Sequence, residues 1–417
     1  MNQPQPNRSW FALLAPGLLV AATGVGAGDL LTGALAGSHV GLLVLWAAWL
    51  GAVCKWALNE GIARWQMATG IPLLEGWVRH LGTPLYVFFL VYLLVWSVVV
   101  GGALVSACGV AGTAFWSGGQ PEWSKRLWGV GHSLVGLALV WWGGFRWFER
   151  LMACCVGVMF AVVLLTALCM PQVDWAAAFA GLVPQAPPPA GLGWTLGVLG
   201  GVGGTVTLLS YGYWIAHHQR RGAEGLRTCR LDLAAGYTMT ALFGMAMVVI
   251  GSRFQLPEGK APLLALELAR LIEQAVGPAG RWLFQLGFWA AVFSSLLGVW
   301  QSVPYLFAHL VLLRRHKQGK LDLLAVQRLE HSPQYRGYLL FLATVPCVLL
   351  GWKVQGVQLL YAVLGALFMP LLAATLLYLN NRRGLVGHEL KNPWWINLLL
   401  AGVLLLFAAL GVRSLLP

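Results

Sequence analysis

The sequence predicts an all-α membrane protein that crosses its bilayer many times, and three observations carry that prediction. Hydrophobic residues make up 59% of the chain and charged residues only 10%, with a mean hydropathy of +0.72; a soluble chain this long needs far more charge to cover its surface. Apolar runs of about 18 residues or more recur from end to end. The two-residue alternation of a membrane β-barrel is absent. With no long polar stretch to build a soluble module, residues 1–417 read as a single transmembrane domain.

Eleven spans are expected, at roughly 10–36, 40–63, 84–112, 127–145, 150–170, 192–216, 229–252, 282–313, 336–352, 355–380 and 393–414. The stretch 171–191 carries Pro171, Pro184 and Pro187 to Pro189 and reads as an external loop. The stretch 257–277 has helical periodicity but too much charge to span, so an interfacial helix is expected there.

Charge sets the expected orientation. The net charge is +13, but the basic residues lie in short loops between apolar runs. They therefore speak for placement in a membrane with anionic lipid and against nucleic acid as a partner. With the N-terminus in the cytoplasm, 18 of the 27 basic residues fall inside and 8 outside, Lys55 lying within a span. The expected arrangement is N-in and C-out in a plasma membrane of the bacterial inner-membrane type. Tryptophans such as Trp10, Trp77, Trp128 and Trp394 near span ends form the interfacial belt. The first apolar run is too long, and too interrupted by Asp29, for a cleavable signal. The 7 cysteines show neither a CxxC pair nor a Cys/His cluster, so no disulfide framework, zinc site or other cofactor is expected.

Two spans look broken. The first holds Thr23-Gly24-Val25-Gly26-Ala27-Gly28-Asp29, and the sixth Gly200-Gly201-Val202-Gly203-Gly204-Thr205-Val206-Thr207. Glycine runs permit local unwinding, and unwound backbone at membrane depth must line a cavity or be buried in protein. The breaks occupy corresponding places in two five-span halves, about 10–170 and 192–380, with a last helix at about 393–414. That is the pattern of an inverted-repeat transporter with a midplane site; close helix packing is the plainer use of such glycines. Asp29 favours the site, because a carboxylate inside a span is costly unless paired, solvated or functional. It can also cap the half-helix beginning at Leu30.

Other polar residues read as structural. Lys55 and Glu60 are poorly spaced for a helical ion pair, whereas Glu60 and Arg64 stand at i and i+4; Lys55 and Glu60 are candidates for coupling or gating. Asp232, following Arg227 and Arg230, suggests an interfacial ion pair, and His217 and His218 suggest interfacial side chains rather than metal ligands. There is no P-loop and no nucleophile–base constellation, so neither ATP-driven transport nor an enzyme is expected.

These residues also carry a resemblance. The first span, APGLLVAATGVGAGDLLTGALAGSHVG, resembles that of the NRAMP divalent-metal transporters. TCRLDLAAGYTMTALFGMAMVVIGS is similar to their seventh span, FSSLLGVWQSV to their eighth, and LNNRRGLVGHELKNPWWINLLLAG to their tenth-to-eleventh loop and last span. The resemblance implies a LeuT-like inverted-repeat fold with eleven helices, the first and sixth broken.

This chain departs from the family where metal is bound. The family's Asp-Pro-Gly-Asn falls on Gly26, Ala27, Gly28 and Asp29, moving the acid from the first place to the fourth. Its Ala-Thr-Val-Met-Pro-His-Asn falls on Gly204 to Ser210, so Thr207 replaces the thioether ligand and Leu209 the histidine. The third-span acids of the proton pathway fall on Val95 and Val98, and a tenth-span glutamine on Phe368. Oxygen ligands favour harder ions. The implied substrate is thus a hard divalent cation such as Mg²⁺ or Mn²⁺, moved without the family's proton coupling. The expected site is Asp29 and Thr207 with carbonyls at Gly26 and Gly204, supported by Thr23 and Ser210. The alternative is a small organic or anionic solute on the same scaffold, held by half-helix N-termini.

Overall fold

The computed structural model describes residues 10–116, 118–186, 188, 191–201, 203–218, 220–254, 269–274, 277–315 and 329–415, without the side chains of 10–13, 27–29, 31, 315, 355, 359, 362, 366 and 410–415. Helix dominates and no strand occurs among the described residues.

The first broken element is α1 (Trp10–Gly24) followed by α2 (Ala27–Val40), and a 3₁₀ turn leads into α3 (Leu45–Thr69). Gly70, at φ 73°, caps α3 in the left-handed conformation that an L-residue resists. A short α4 (Leu73–His80) precedes the long α5 (Gly82–Phe115), then come α6 (Pro121–Trp142) and α7 (Phe145–Cys169). The expected external loop contains a further short helix, α8 (Trp175–Ala180), capped by the Asp174 carboxylate, which accepts from the Ala177 N–H at 2.9 Å.

The second broken element is α9 (Leu192–Gly201), a 3₁₀ turn over Val206–Leu209, and α10 (Ser210–His217). Then follow α11 (Gly222–Gly251), α12 (Pro278–Arg315), α13 (Pro333–Thr344), α14 (Val354–Asn380), the single turn α15 (Arg383–Val386) and α16 (Trp394–Leu415). Ser332 caps α13 with Pro333 in its first turn, the arrangement a Ser-Pro pair favours. Of the interfacial helix expected at 257–277, residues 269–274 are helical; residues 255–268 and 275–276 lie outside the described residues.

Among the described residues, seven helical segments are long and apolar enough by length and composition to cross a membrane. Other expected spans fall on elements of a different kind. The 3₁₀ link joins α2 to α3 in one segment, Thr32–Thr69, and α1 is a half-helix of 15 residues that ends at the first break. α6 carries Glu122, Lys125 and Arg126 in its first turns. α13 stops at Thr344 and continues as a 3₁₀ turn, Val345–Gly351.

α12 is the central post: 83% of its apolar window is buried, and it packs against α7, α5, α1 and α13. α11 packs against α1, α2 and α3. Outer helices keep an apolar stripe exposed, as with Val87, Phe88, Val91, Leu94 and Val95 on one face of α5. At helical spacing and this length, such a stripe is the surface offered to lipid.

Candidate functional site

The two breaks touch. A side chain at Gly24 would bring its Cβ 2.6 Å from the Gly203 carbonyl carbon, so α1 ends directly against the unwound part of the second element. Gly203 and Gly204 have φ of +84° and +81°, conformations open to glycine at little cost. That explains why the glycine runs unwind here rather than continue as helix.

Each break is held by a neighbouring helix. Ser295 of α12 donates to the Val25 carbonyl at 2.7 Å, and Ser294 donates to the Ala22 carbonyl at 3.2 Å. The Gly26 carbonyl accepts from the Leu30 N–H at 3.1 Å and so starts α2. In the second element, the Trp96 indole N–H of α5 donates to Thr205 Oγ1 at 3.1 Å.

Between the breaks lies a small cavity, lined among others by Thr23, Gly24, Gly26, Gly201, Thr207 and Ser295, with Gln358 and Tyr361 from α14. As a whole it has room for roughly one water-sized guest. Four expected residues converge on it. Thr23, Gly26 and Thr207 line it, and Gly204 stands close enough to Thr207 that a Cβ there would lie 2.7 Å from Thr207 Oγ1. Ser210 does not join them. It begins α10 and lines a separate narrow cleft with Tyr213, Trp214, Gln301 and Ser302, because the 3₁₀ turn carries it away from Thr207. The backbone of Asp29 lies in the first turn of α2; its side chain lies outside the described residues.

Two buried oxygens at this cavity have no hydrogen-bond partner among the described residues: Thr23 Oγ1 and Gln358 Oε1. The Gln358 amide nitrogen donates to the Ala103 carbonyl at 3.0 Å, which fixes which end of the amide is the oxygen. A buried oxygen left unpaired calls for a guest such as water or an ion. Gln358 is absent from the residues singled out above; the signal for it was the pair of amides, Gln355 and Gln358, at the start of an apolar span. The position matched to the family's glutamine, Phe368, is buried and stacks on Tyr92 with ring centroids 5.8 Å apart. Val95 faces outward on the α5 stripe, and Leu209 is buried.

The charged candidates separate. Lys55, fully buried, points its ammonium at the second break, donating to the Gly200 and Gly201 carbonyls at 2.8 and 3.3 Å. Glu60 belongs to a different cluster. Its Oε1 accepts from Arg64 at 2.5 Å and from Arg230 at 2.8 Å, and Arg64 also donates to the Leu390 and Lys391 carbonyls at 3.2 and 3.1 Å. Arg230 further lies over the Trp395 ring at 5.3 Å. The cluster thus ties α3, α11 and the segment leading into α16. Asp232 pairs with Arg220 and accepts from the Tyr211 hydroxyl at 2.6 Å. His217 stacks on Phe145 and His218 stands 2.8 Å from Glu149. No group of three or more His, Cys, Asp or Glu side chains suited to a metal occurs among the described residues.

Two broken helices meeting beside a cavity define the class: this is an inverted-repeat, LeuT-fold membrane transporter. The solved structures agree. The chain matches a histidine-to-alanine mutant of the manganese transporter of Eremococcus coleocola with a TM-score of 0.74 at 19% identity, covering 99% of this chain and 88% of that one. It matches MHP1, a nucleobase-cation-symport-1 family transporter, with a TM-score of 0.58 at 14% identity, covering 95% and 91%. MhsT in complex with L-phenylalanine gives 0.53 at 14% identity, covering 97% of each chain. No curated protein sequence matches the chain at a significant level. The model of the natural resistance-associated macrophage protein-like family, Nramp, matches residues 17–417, and the chain belongs to that family.

Proposed function

We propose that this protein is a secondary transporter of a divalent metal cation, with hard ions such as Mg²⁺ or Mn²⁺ favoured, working without the proton coupling of the family it belongs to. The observation that carries this reading is the cavity at the meeting breaks, where the unpartnered oxygens of Thr23 and Gln358 accompany Thr207. Hydroxyl and amide oxygens suit a hard, partly hydrated ion, and the soft thioether of the family pattern is missing. The carbonyl ends of α1 and α9 both close on this region, and their dipoles favour positive charge. Asp29, in the first turn of α2, supplies the compensating negative charge in this reading. A manganese transporter among the structural neighbours supports the substrate class. Valines at the matched third-span positions and Leu209 in the sixth leave those places without a titratable group.

The cluster around Glu60 is assigned to the gate. It ties three elements on the side that the charge bias places in the cytoplasm, and it must loosen for that side to open. The arrangement is N-in and C-out in a plasma membrane.

Purified protein in liposomes, screened against Mg²⁺, Mn²⁺, Cd²⁺ and small organic anions, tests the reading. Saturable uptake of a divalent ion is the expected result. Uptake of an organic anion with no metal flux would replace the cation reading with the anionic one.

A further inference from the structure

α9 ends at Gly201, inside the protein and beside the cavity. The last carbonyls of a helix have no partner within it and carry the negative end of its dipole, so a buried helix C-terminus of this kind is a ready place for a cation. Here that place already holds one. The Lys55 ammonium donates to the Gly200 and Gly201 carbonyls, and Gly201 is itself part of the cavity wall.

The position is held from several sides. Lys55 is fully buried within α3. Its stem runs past Gly203, where an added Cβ would lie 3.4 Å from Lys55 Cδ and 2.8 Å from the Tyr237 ring. Tyr237 is fixed in turn, its hydroxyl accepting from the Asn59 amide at 2.8 Å. A lysine packed in this way delivers its charge to one point and has little freedom to withdraw it.

We propose that Lys55 is a tethered cation of the transport site: its ammonium occupies the carbonyl end of α9 that a transported cation would otherwise share, and so limits how tightly the cavity can hold a metal ion. This rests on the reading of the cavity as a cation site and deepens it. A fixed positive charge beside the cavity repels a divalent ion and withdraws two carbonyl oxygens from its shell. The site is thereby tuned to weak binding and ready release, as a carrier working at high substrate concentration requires. The charge also caps α9, so Lys55 has a structural role that a test must separate from its effect on binding.

Lys55→Met and Lys55→Gln make that separation. Methionine keeps the length of the stem and removes the charge; glutamine keeps a donor for the carbonyls, and stands in should the methionine variant fail to fold. Both are compared with parental protein by Mn²⁺ and Mg²⁺ titration and by melting temperature with and without metal. The neutral variants are expected to melt lower than parental protein without metal. They are also expected to bind the ion about tenfold more tightly and to gain more from added metal. A cap alone would lower the melting temperature and leave affinity equal or weaker. Unchanged or weaker metal binding by both neutral variants, with parental protein binding metal, would overturn the proposal and leave the cation reading standing. Failure of every protein to bind metal would overturn both. Binding of an organic anion that is lost in Lys55→Met would make the ammonium a substrate ligand and overturn the proposal as well.

Discussion

Lys55 and Glu60 lie on the same buried helix, little more than a turn apart, and their surroundings differ in kind. Around Glu60, charge meets charge: two guanidinium groups converge on one carboxylate, and one of them reaches on to two carbonyls of the segment before α16. Around the breaks, hydroxyl, amide and glycine share the described lining with the apolar side chains of Ala103, Leu104 and Val299, and the Lys55 ammonium is bound to helix-end carbonyls. Buried ion pairs are rigid and costly to separate, whereas neutral dipoles can exchange a hydrated ion for little. In the proposed function, this difference gives holding and gating to one end of the helix and passage to the other.

That contrast can be broken at several points. The largest effect is expected at Glu60. Glu60→Gln leaves Arg64 and Arg230 converging on a neutral amide, and loss of one partner from a buried cluster costs about 3–5 kcal/mol. A clear fall in melting temperature in detergent is expected, while the folded fraction keeps its metal affinity. An unchanged melting temperature would remove the cluster from the gate. Asp29→Asn comes next. It nearly preserves shape while removing the proposed compensating charge, and should lower divalent flux by about 100-fold, the equivalent of roughly 3 kcal/mol, with the fold intact by melting. Flux at the parental rate would make Asp29 a helix cap only.

Gln358→Leu tests the unpartnered amide oxygen. It should weaken divalent binding about tenfold, since one oxygen ligand of this type is worth roughly 1.4 kcal/mol; equal affinity in a titration would take Gln358 out of the shell. The smallest effect is expected at Thr207. Thr207→Met restores a soft ligand and should shift preference a few-fold, by an estimated factor of about 3, towards Cd²⁺ and Mn²⁺ over Mg²⁺. Competition uptake measures this, and an unchanged ratio would place Thr207 outside the ion's reach.

The legible part of this molecule was local. Glycine runs announced both breaks because they act on the backbone where they stand, and Thr23, Gly26, Gly204 and Thr207 followed from their nearness to those runs. The Glu60–Arg64 pair followed from helical spacing. What stayed hidden depends on contacts across the chain. Nothing near Lys55 in sequence announces Gly200, 145 positions away, and nothing near Glu60 announces Arg230. Gln358 lay in an apolar span whose rotation only packing decides. Ser210 was grouped with Thr207 by sequence nearness, but a 3₁₀ turn rather than an α-turn separates them and sends it to another cavity.

The central claim is metal passage without the family's proton relay, and one measurement addresses it directly. Parental protein in liposomes is loaded with a pH-sensitive dye, and divalent metal is added outside under an inward-negative potential. Metal entry with no metal-dependent acidification of the interior is the predicted result. Acidification that rises with metal uptake and disappears without metal would contradict it.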